Sequence, residues 1–230
     1  MKNNFKGFLF ILIGIVSVFG KCNKVDINQC SGNCYNIVGV VKDSLSNTPI
    51  LNAAIEIATI NSANFYSGTY GTGFTNSSGI YNLFYPNKGI DFINFRITIT
   101  IKPPVDYIAD NFKENAILYT LYASDSVSVN VPVIRNASFL KKAFLNVRII
   151  KANSGNNLNS FISRFGKFGY KTLGIFPSTN NTDTTYRFET AAEIKNYLSW
   201  EVKTNSNTTN KFLDSLVIAP GKTRDYVITL

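Results

Sequence analysis

The sequence predicts an all-β chain, two antiparallel β-sandwich domains in tandem after a signal peptide. Three observations carry that prediction. Apolar residues recur with period two over short runs, the pattern of strands with one buried face. Clusters of Gly, Asn, Ser and Pro separate those runs at regular intervals. No long stretch places apolar residues at i, i+3, i+4 and i+7 between helix caps.

The first element is a leader, residues 1–21. Lys2 and Lys6 form a positive flank, and Phe8 to Phe19 is apolar apart from Gly14 and Ser17. Such a run suits a secretory h-region and falls short of the ~20 residues that span a bilayer. Two exits compete. Val18-Phe19-Gly20 suits cleavage before Lys21. Alternatively, Gly20 and Cys22 resemble a bacterial lipoprotein signal, with Cys22 acylated as the first mature residue; Lys21 departs from that pattern.

Residues 22–35 form a lead-in holding all three cysteines, Cys22, Cys30 and Cys34. An odd thiol is a liability in an oxidising compartment. Acylation of Cys22 would leave Cys30 and Cys34 as a pair, and the Ser31-Gly32-Asn33 loop between them permits a disulfide.

Residues 36–137 are the first expected domain. Its strands are Ile37 to Lys42, Ala53 to Thr59 with Ile55 and Ile57 on one face, Tyr70 to Thr75, and Ile80 to Tyr85. Phe95, Ile97, Ile99 and Ile101 then alternate with Arg96, Thr98, Thr100 and Lys102, and Pro103-Pro104 ends the run. Weaker strands cover Ile117 to Tyr122 and Val127 to Val133.

Residues 138–230 are the second, with the boundary placed near Asn136–Leu140; one continuous sandwich is the alternative. Leu145, Val147 and Ile149 alternate, and Asn153 to Asn159 reads as a loop. Strands follow at Tyr170 to Phe176, Tyr186 to Ala192, and around Leu198, Trp200 and Val202. Leu216 to Ile218 precedes the Pro220-Gly221 turn, and Tyr226, Ile228 and Leu230 form the last strand.

Charge and residue types narrow the chemistry. The net charge is +9, from 23 basic and 14 acidic residues, with Lys141-Lys142 the longest basic run. Such scatter does not build a nucleic-acid groove. The chain has no histidine, so Ser-His-Asp and Cys-His catalysis and His-ligated zinc are excluded. No phosphate-cradling glycine motif occurs; Gly166-Lys167-Phe168-Gly169 reads as a turn. Carboxylates such as Glu56, Glu189, Glu201 and Asp214 fall at strand exteriors and turns, where they read as solvated surface charge. No enzyme activity, cofactor or metal is expected.

Residues Asn36 to Pro86 resemble the carboxypeptidase regulatory-like domain, a prealbumin-like sandwich. Three pieces in order carry the likeness: Val38-Gly39-Val40-Val41-Lys42-Asp43, then Asn47-Thr48-Pro49-Ile50-Leu51-Asn52-Ala53, then Thr75-Asn76-Ser77-Ser78-Gly79-Ile80-Tyr81. Asp43 and Ser44 can close a turn through side-chain bonds to the backbone. Gly79 can adopt the positive φ of a tight connection, and Tyr81, Leu83 and Tyr85 alternate into a core. The resemblance implies an accessory domain that does none of the chemistry of the proteins carrying it.

The segments Tyr197 to Lys203, Asp214 to Ile218 and Tyr226 to Ile228 resemble the tails of small surface proteins of Bacteroidetes-like bacteria. Four Asp-Ser/Thr-aliphatic or similar triplets resemble the O-glycosylation site of exported proteins from such bacteria, with Ser44, Ser126, Thr184 and Ser215 as acceptors. Asp-Ser also starts strands and turns well. The expected function is a non-catalytic structural or interaction protein of the cell envelope, at the surface if Cys22 is lipidated and otherwise periplasmic or secreted. Its expected partner is an envelope protein or a surface glycan. A carbohydrate-binding module is the alternative, with the 12 tyrosines as a source of stacking faces.

Overall fold

The computed structural model describes residues 34–61, 66–86, 95–110, 115–122, 131–152, 155–166, 169–173, 183–204 and 206–230. Among them it holds strands and no helix. The first group is β1 (Cys34–Asp43), β2 (Ala54–Asn61), β3 (Tyr66–Phe74), β4 (Ile80–Pro86), β5 (Phe95–Lys102), β6 (Tyr107–Ile108), β7 (Ile117–Leu121) and β8 (Pro132–Ile134). The second is β9 (Ala137–Ile150), β10 (Asn157–Phe165), β11 (Gly169–Leu173), β12 (Asp183–Ala191), β13 (Asn196–Lys203), β14 (Thr209–Leu216) and β15 (Thr223–Thr229).

The first sandwich packs two sheets. One has the antiparallel order β3-β2-β5-β7. In the other, β1 pairs antiparallel with β4 and parallel with β8 and the start of β9. The alternation in the sequence decides what lies between them. Ile55, Ile57, Ile97, Ile99 and Ile101 point inward from one sheet, and Ile37, Val41, Tyr81, Leu83 and Tyr85 from the other. Each such side chain contributes roughly 1.5–3 kcal/mol by leaving water. On the outer face of the first sheet, Glu56 forms an ion pair with Lys102 at 3.6 Å.

In the second sandwich, β9 lies between β12, antiparallel, and β15, parallel. The facing sheet runs β11-β10-β13-β14, antiparallel throughout. Leu145, Val147 and Ile228 meet Leu158, Phe161, Leu198 and Val202 in its core.

Strand β9 belongs to both sandwiches. Its first residues, Ala137–Phe139, pair with β1, and the remainder pairs with β12 and β15. Residues 137–140 of the stretch where the sequence suggests a boundary lie in this strand. Upstream, β8 and β9 lie end to end along one side of β1, interrupted at Arg135-Asn136. There the chain bulges toward β1. The Arg135 amide donates to the Val38 carbonyl at 2.8 Å, the Val40 amide to the Asn136 side-chain oxygen at 2.9 Å, and the Tyr81 hydroxyl to the Arg135 carbonyl at 2.5 Å. Gly39 makes this approach possible, since a Cβ there would lie 1.9 Å from the Arg135 carbonyl oxygen.

Several expected elements shift. The run Asn153 to Asn159 is not all loop, because β10 begins at Asn157. The strand expected at Leu216 to Ile218 ends at Leu216 and begins earlier, at Thr209. Residues 127–130 and 174–176 of two expected strands lie outside the described residues.

Candidate functional site

Three places gather chemistry-bearing groups: the waist between the sandwiches, the turn after β1, and the open side of the second sandwich. At the waist, β6 pairs with β9 at Lys141 and Leu140. Ile108, Leu140, Phe165 and Ala191 form a small apolar cluster there, with Ile194 against it. The Gly169 amide donates to the Asp110 carboxylate at 2.7 Å, and the Lys142 amide to the Asp106 carbonyl at 2.7 Å.

Two adjacent lysines of β9 are tied down beside that cluster. Lys142, 9% exposed, reaches Glu189 at 3.0 Å, and Lys141 reaches Glu193 at 3.5 Å. Lys141, Lys142 and Glu189, with Asp106, Tyr107 and Phe144, line a cavity of about 450 Å³. Burial pushes the Tyr107 hydroxyl above its ordinary pKa, and the charges of Asp43 and Asp106 add to the rise, against Lys141. Lys142 and Glu189 neutralise each other across the cavity wall. Among the described residues no three His, Cys, Asp or Glu side chains gather as metal ligands.

In the turn after β1, Asp43 is 2% exposed, and its Oδ1 accepts the Leu45 and Ser46 amides, both at 2.9 Å. Burial pushes its carboxyl up, but those amides, the Ser46 hydroxyl and Lys141 outweigh burial and hold it below the usual range. Ser44 is exposed on the turn and lines an open hollow of about 360 Å³ with Val40, Lys42, Asn47, Asn136 and Ser138.

The three described acceptor positions share one feature: each preceding aspartate is engaged. Asp43 closes the turn before Ser44. Asp183, before Thr184, holds the Arg148 guanidinium through two nitrogens, and that bond lowers its pKa. Asp214, before Ser215, accepts the Tyr226 hydroxyl at 2.7 Å and the Ser215 amide at 2.7 Å, which lowers its pKa likewise. Ser126, Cys22 and Cys30 lie outside the described residues. Cys34 is buried and disulfide-bonded.

On the open side of the second sandwich, Trp200 is half-buried. It stacks on Phe212 with ring centroids 5.4 Å apart and meets Tyr226 edge-on at 5.8 Å. Burial, and then Asp214, push the Tyr226 hydroxyl well above the ordinary tyrosine pKa. Tyr35, Tyr81 and Tyr85 are core residues, while Tyr122 and Tyr197 are exposed.

The waist groups escape a reading of the sequence. Asp110 and Gly169 are 59 residues apart, and the turn reading of Gly166 to Gly169 does not point to Asp110. Phe212 is equally silent, since Thr209 to Ser215 have no buried face to impose alternation.

No protein-family model matches the chain, and no curated protein matches it. In structure it is similar to the Bacillus anthracis TIE protein, at 12% identity and a TM-score of 0.34, over 86% of this chain and 34% of that one. It is similar to the shaft pilin SpaA of Lactobacillus rhamnosus GG, at 10% identity and a TM-score of 0.36, over 86% of this chain and 98% of that one. It is also similar to a variant of BcpA, the major pilin subunit of Bacillus cereus, at 6% identity and a TM-score of 0.32, over 81% of this chain and 69% of that one. None of these values shows a family.

Proposed function

We propose that this chain is a non-catalytic structural or interaction protein of the cell envelope, presenting β-sandwich loops from a stiff two-core body. The observation that carries the reading is strand β9, whose backbone runs unbroken from one core into the other. A hinge for opening a cleft is replaced by hydrogen-bonded ladder, reinforced by the Ile108-Leu140-Phe165 cluster and the Asp110–Gly169 bond. The charged groups fit the same reading. Glu56, Asp183, Glu189 and Glu193 each pair with a cation, and Asp214 accepts a tyrosine hydroxyl.

Residues 36–137 are read here as a carboxypeptidase regulatory-like domain. Three placements support that: Gly39 in β1, a φ of 71° at Gly79, and Tyr81, Leu83 and Tyr85 in the core. Export, acylation of Cys22 and O-glycosylation at Ser44, Ser126, Thr184 and Ser215 belong to the same proposal. Ser44 and Ser215 are both exposed, which such a modification requires.

Cross-linking in intact cells followed by envelope fractionation tests the proposal. Recovery in the envelope with a cross-linked protein partner is expected; recovery only in the soluble cytoplasmic fraction would refute it. The carbohydrate-binding alternative is favoured by the partly open Trp200-Phe212-Tyr226 group. A glycan array separates the two, since a polysaccharide signal abolished by Phe212→Ala would establish the alternative.

A further inference from the structure

We propose that β14 is a self-association edge, pairing antiparallel with β14 of a second copy of this chain about a two-fold axis at Phe212. Among the described residues β14 pairs with β13 alone and ends its sheet. Its other side presents backbone N–H and C=O groups to any extended strand.

The strand overhangs the sandwich. Its partners across the ladder place Asn210, Phe212, Asp214 and Leu216 on the face of Val202, Trp200, Leu198 and Asn196, the core side. Yet Phe212 is 42% exposed, and Asn210 and Asp214 are exposed too. On the outer face Leu213 is 75% exposed, with Tyr197 diagonal to it on β13, also exposed. Two other strands that end a sheet of this sandwich, β12 and β15, carry charge along the edge. Strand β12 exposes Asp183, Arg187 and Glu189, and β15 exposes Arg224 and Asp225, charges that discourage pairing. On β14 the two exposed charges, Lys211 and Asp214, flank Phe212-Leu213, which form the middle of the edge.

The occupant follows from the strand's own order of residues. A two-fold axis normal to a sheet sets residues of the same face opposite each other. Centred on Phe212, it places Phe212 against its own copy. Asn210 then lies opposite Asp214, Lys211 opposite Leu213, and Thr209 opposite Ser215. No like charges meet, and the Asn210 amide can donate to the Asp214 carboxylate, which has acceptor sites beyond those used by Tyr226 and Ser215. The Lys211 stem can lie along Leu213 with its ammonium in water. Centred on Leu213 instead, Asp214 would face Phe212 and Asn210 would face Leu216. Cross-strand complementarity favours the first register.

Sedimentation velocity on the full chain in a mild detergent, over a concentration series, tests this. A reversible monomer–dimer equilibrium is expected. Asn210→Asp sets two carboxylates opposite each other and should weaken association about tenfold or more. Adding Asp214→Asn to that variant exchanges the pair and should restore it. Both positions are exposed, and circular dichroism melts confirm that each variant folds. A monomer at every concentration overturns the proposal and leaves the edge to a different protein. A dimer indifferent to Asn210→Asp overturns it as well.

Discussion

Replacing Gly39 by alanine addresses the close approach that joins β8 to β9. The added Cβ would sit 1.9 Å from the Arg135 carbonyl oxygen and 2.7 Å from a ring carbon of Tyr81. The oxygen is backbone, held by the Tyr81 hydroxyl on one side and by the Arg135 amide bond to Val38 on the other. Relief therefore requires the bulge to move off β1. Overpacking of a tight site costs roughly 1–3 kcal/mol. Losing the tyrosine–carbonyl bond adds about 1 kcal/mol. A total of about 2–4 kcal/mol is a large part of an ordinary stability of about 5–15 kcal/mol. With a urea slope of about 2 kcal/mol/M, the midpoint falls by about 1–2 M. Equilibrium urea unfolding of wild type, Gly39→Ala and Tyr81→Phe checks the reasoning. Tyr81→Phe isolates the hydroxyl, so its loss should be the smaller, about 1 kcal/mol. A Gly39→Ala protein within about 0.5 kcal/mol of wild type, the range of an uninvolved surface position, would refute the argument.

Three other outcomes are expected. The Asp43 carboxyl is held below its unfolded value, so its stabilisation is full above about pH 4 and lost as pH falls through the lower folded value. Melting temperature should then drop more steeply in acid for wild type than for Asp43→Asn, and parallel acid limbs would contradict this. Asp110→Ala leaves the Gly169 amide without that carboxylate and should cost about 1–2 kcal/mol, read as faster hydrogen exchange at Gly169. Non-reducing peptide mapping should join Cys34 to Cys30; a Cys22–Cys34 bridge would remove the acyl acceptor and sink the lipid anchor.

What the residues reveal in advance depends on whether burial writes a pattern. Strand β5 is legible to the residue, Phe95 to Lys102, because Ile97, Ile99 and Ile101 all enter the core and the two prolines stop it. Strand β14 is nearly invisible for the opposite reason, exposing Thr209 to Ser215 on both faces. Strand β10 hides behind an Asn-rich start that reads as loop. The two lysines at the front of β9 look like a surface break, whereas Lys142 turns in to Glu189 and the strand passes through. The parallel pairs of β1 with β8 and β9, and of β15 with β9, join segments some 80–100 residues apart. No local rule reports them. The turn after β1 and the tyrosine core are legible, being local chemistry and local alternation. The waist is not, since Asp110 meets Gly169 only when both sandwiches are in place.

The shared strand also orders events in time for a chain that emerges amino end first. Until Ala137 and Phe139 appear, β1 has one side open beyond Val38, and the first core lacks two of its members. Closing it must wait for the loop from Val41 to Ala137, whose entropic cost rises only slowly with length. Once those residues dock, the next eleven of β9 extend from a surface already ordered. The later strands then find a template in place of a coil. Nucleation, the costly step for a sheet of distant strands, is thereby done once and serves two cores.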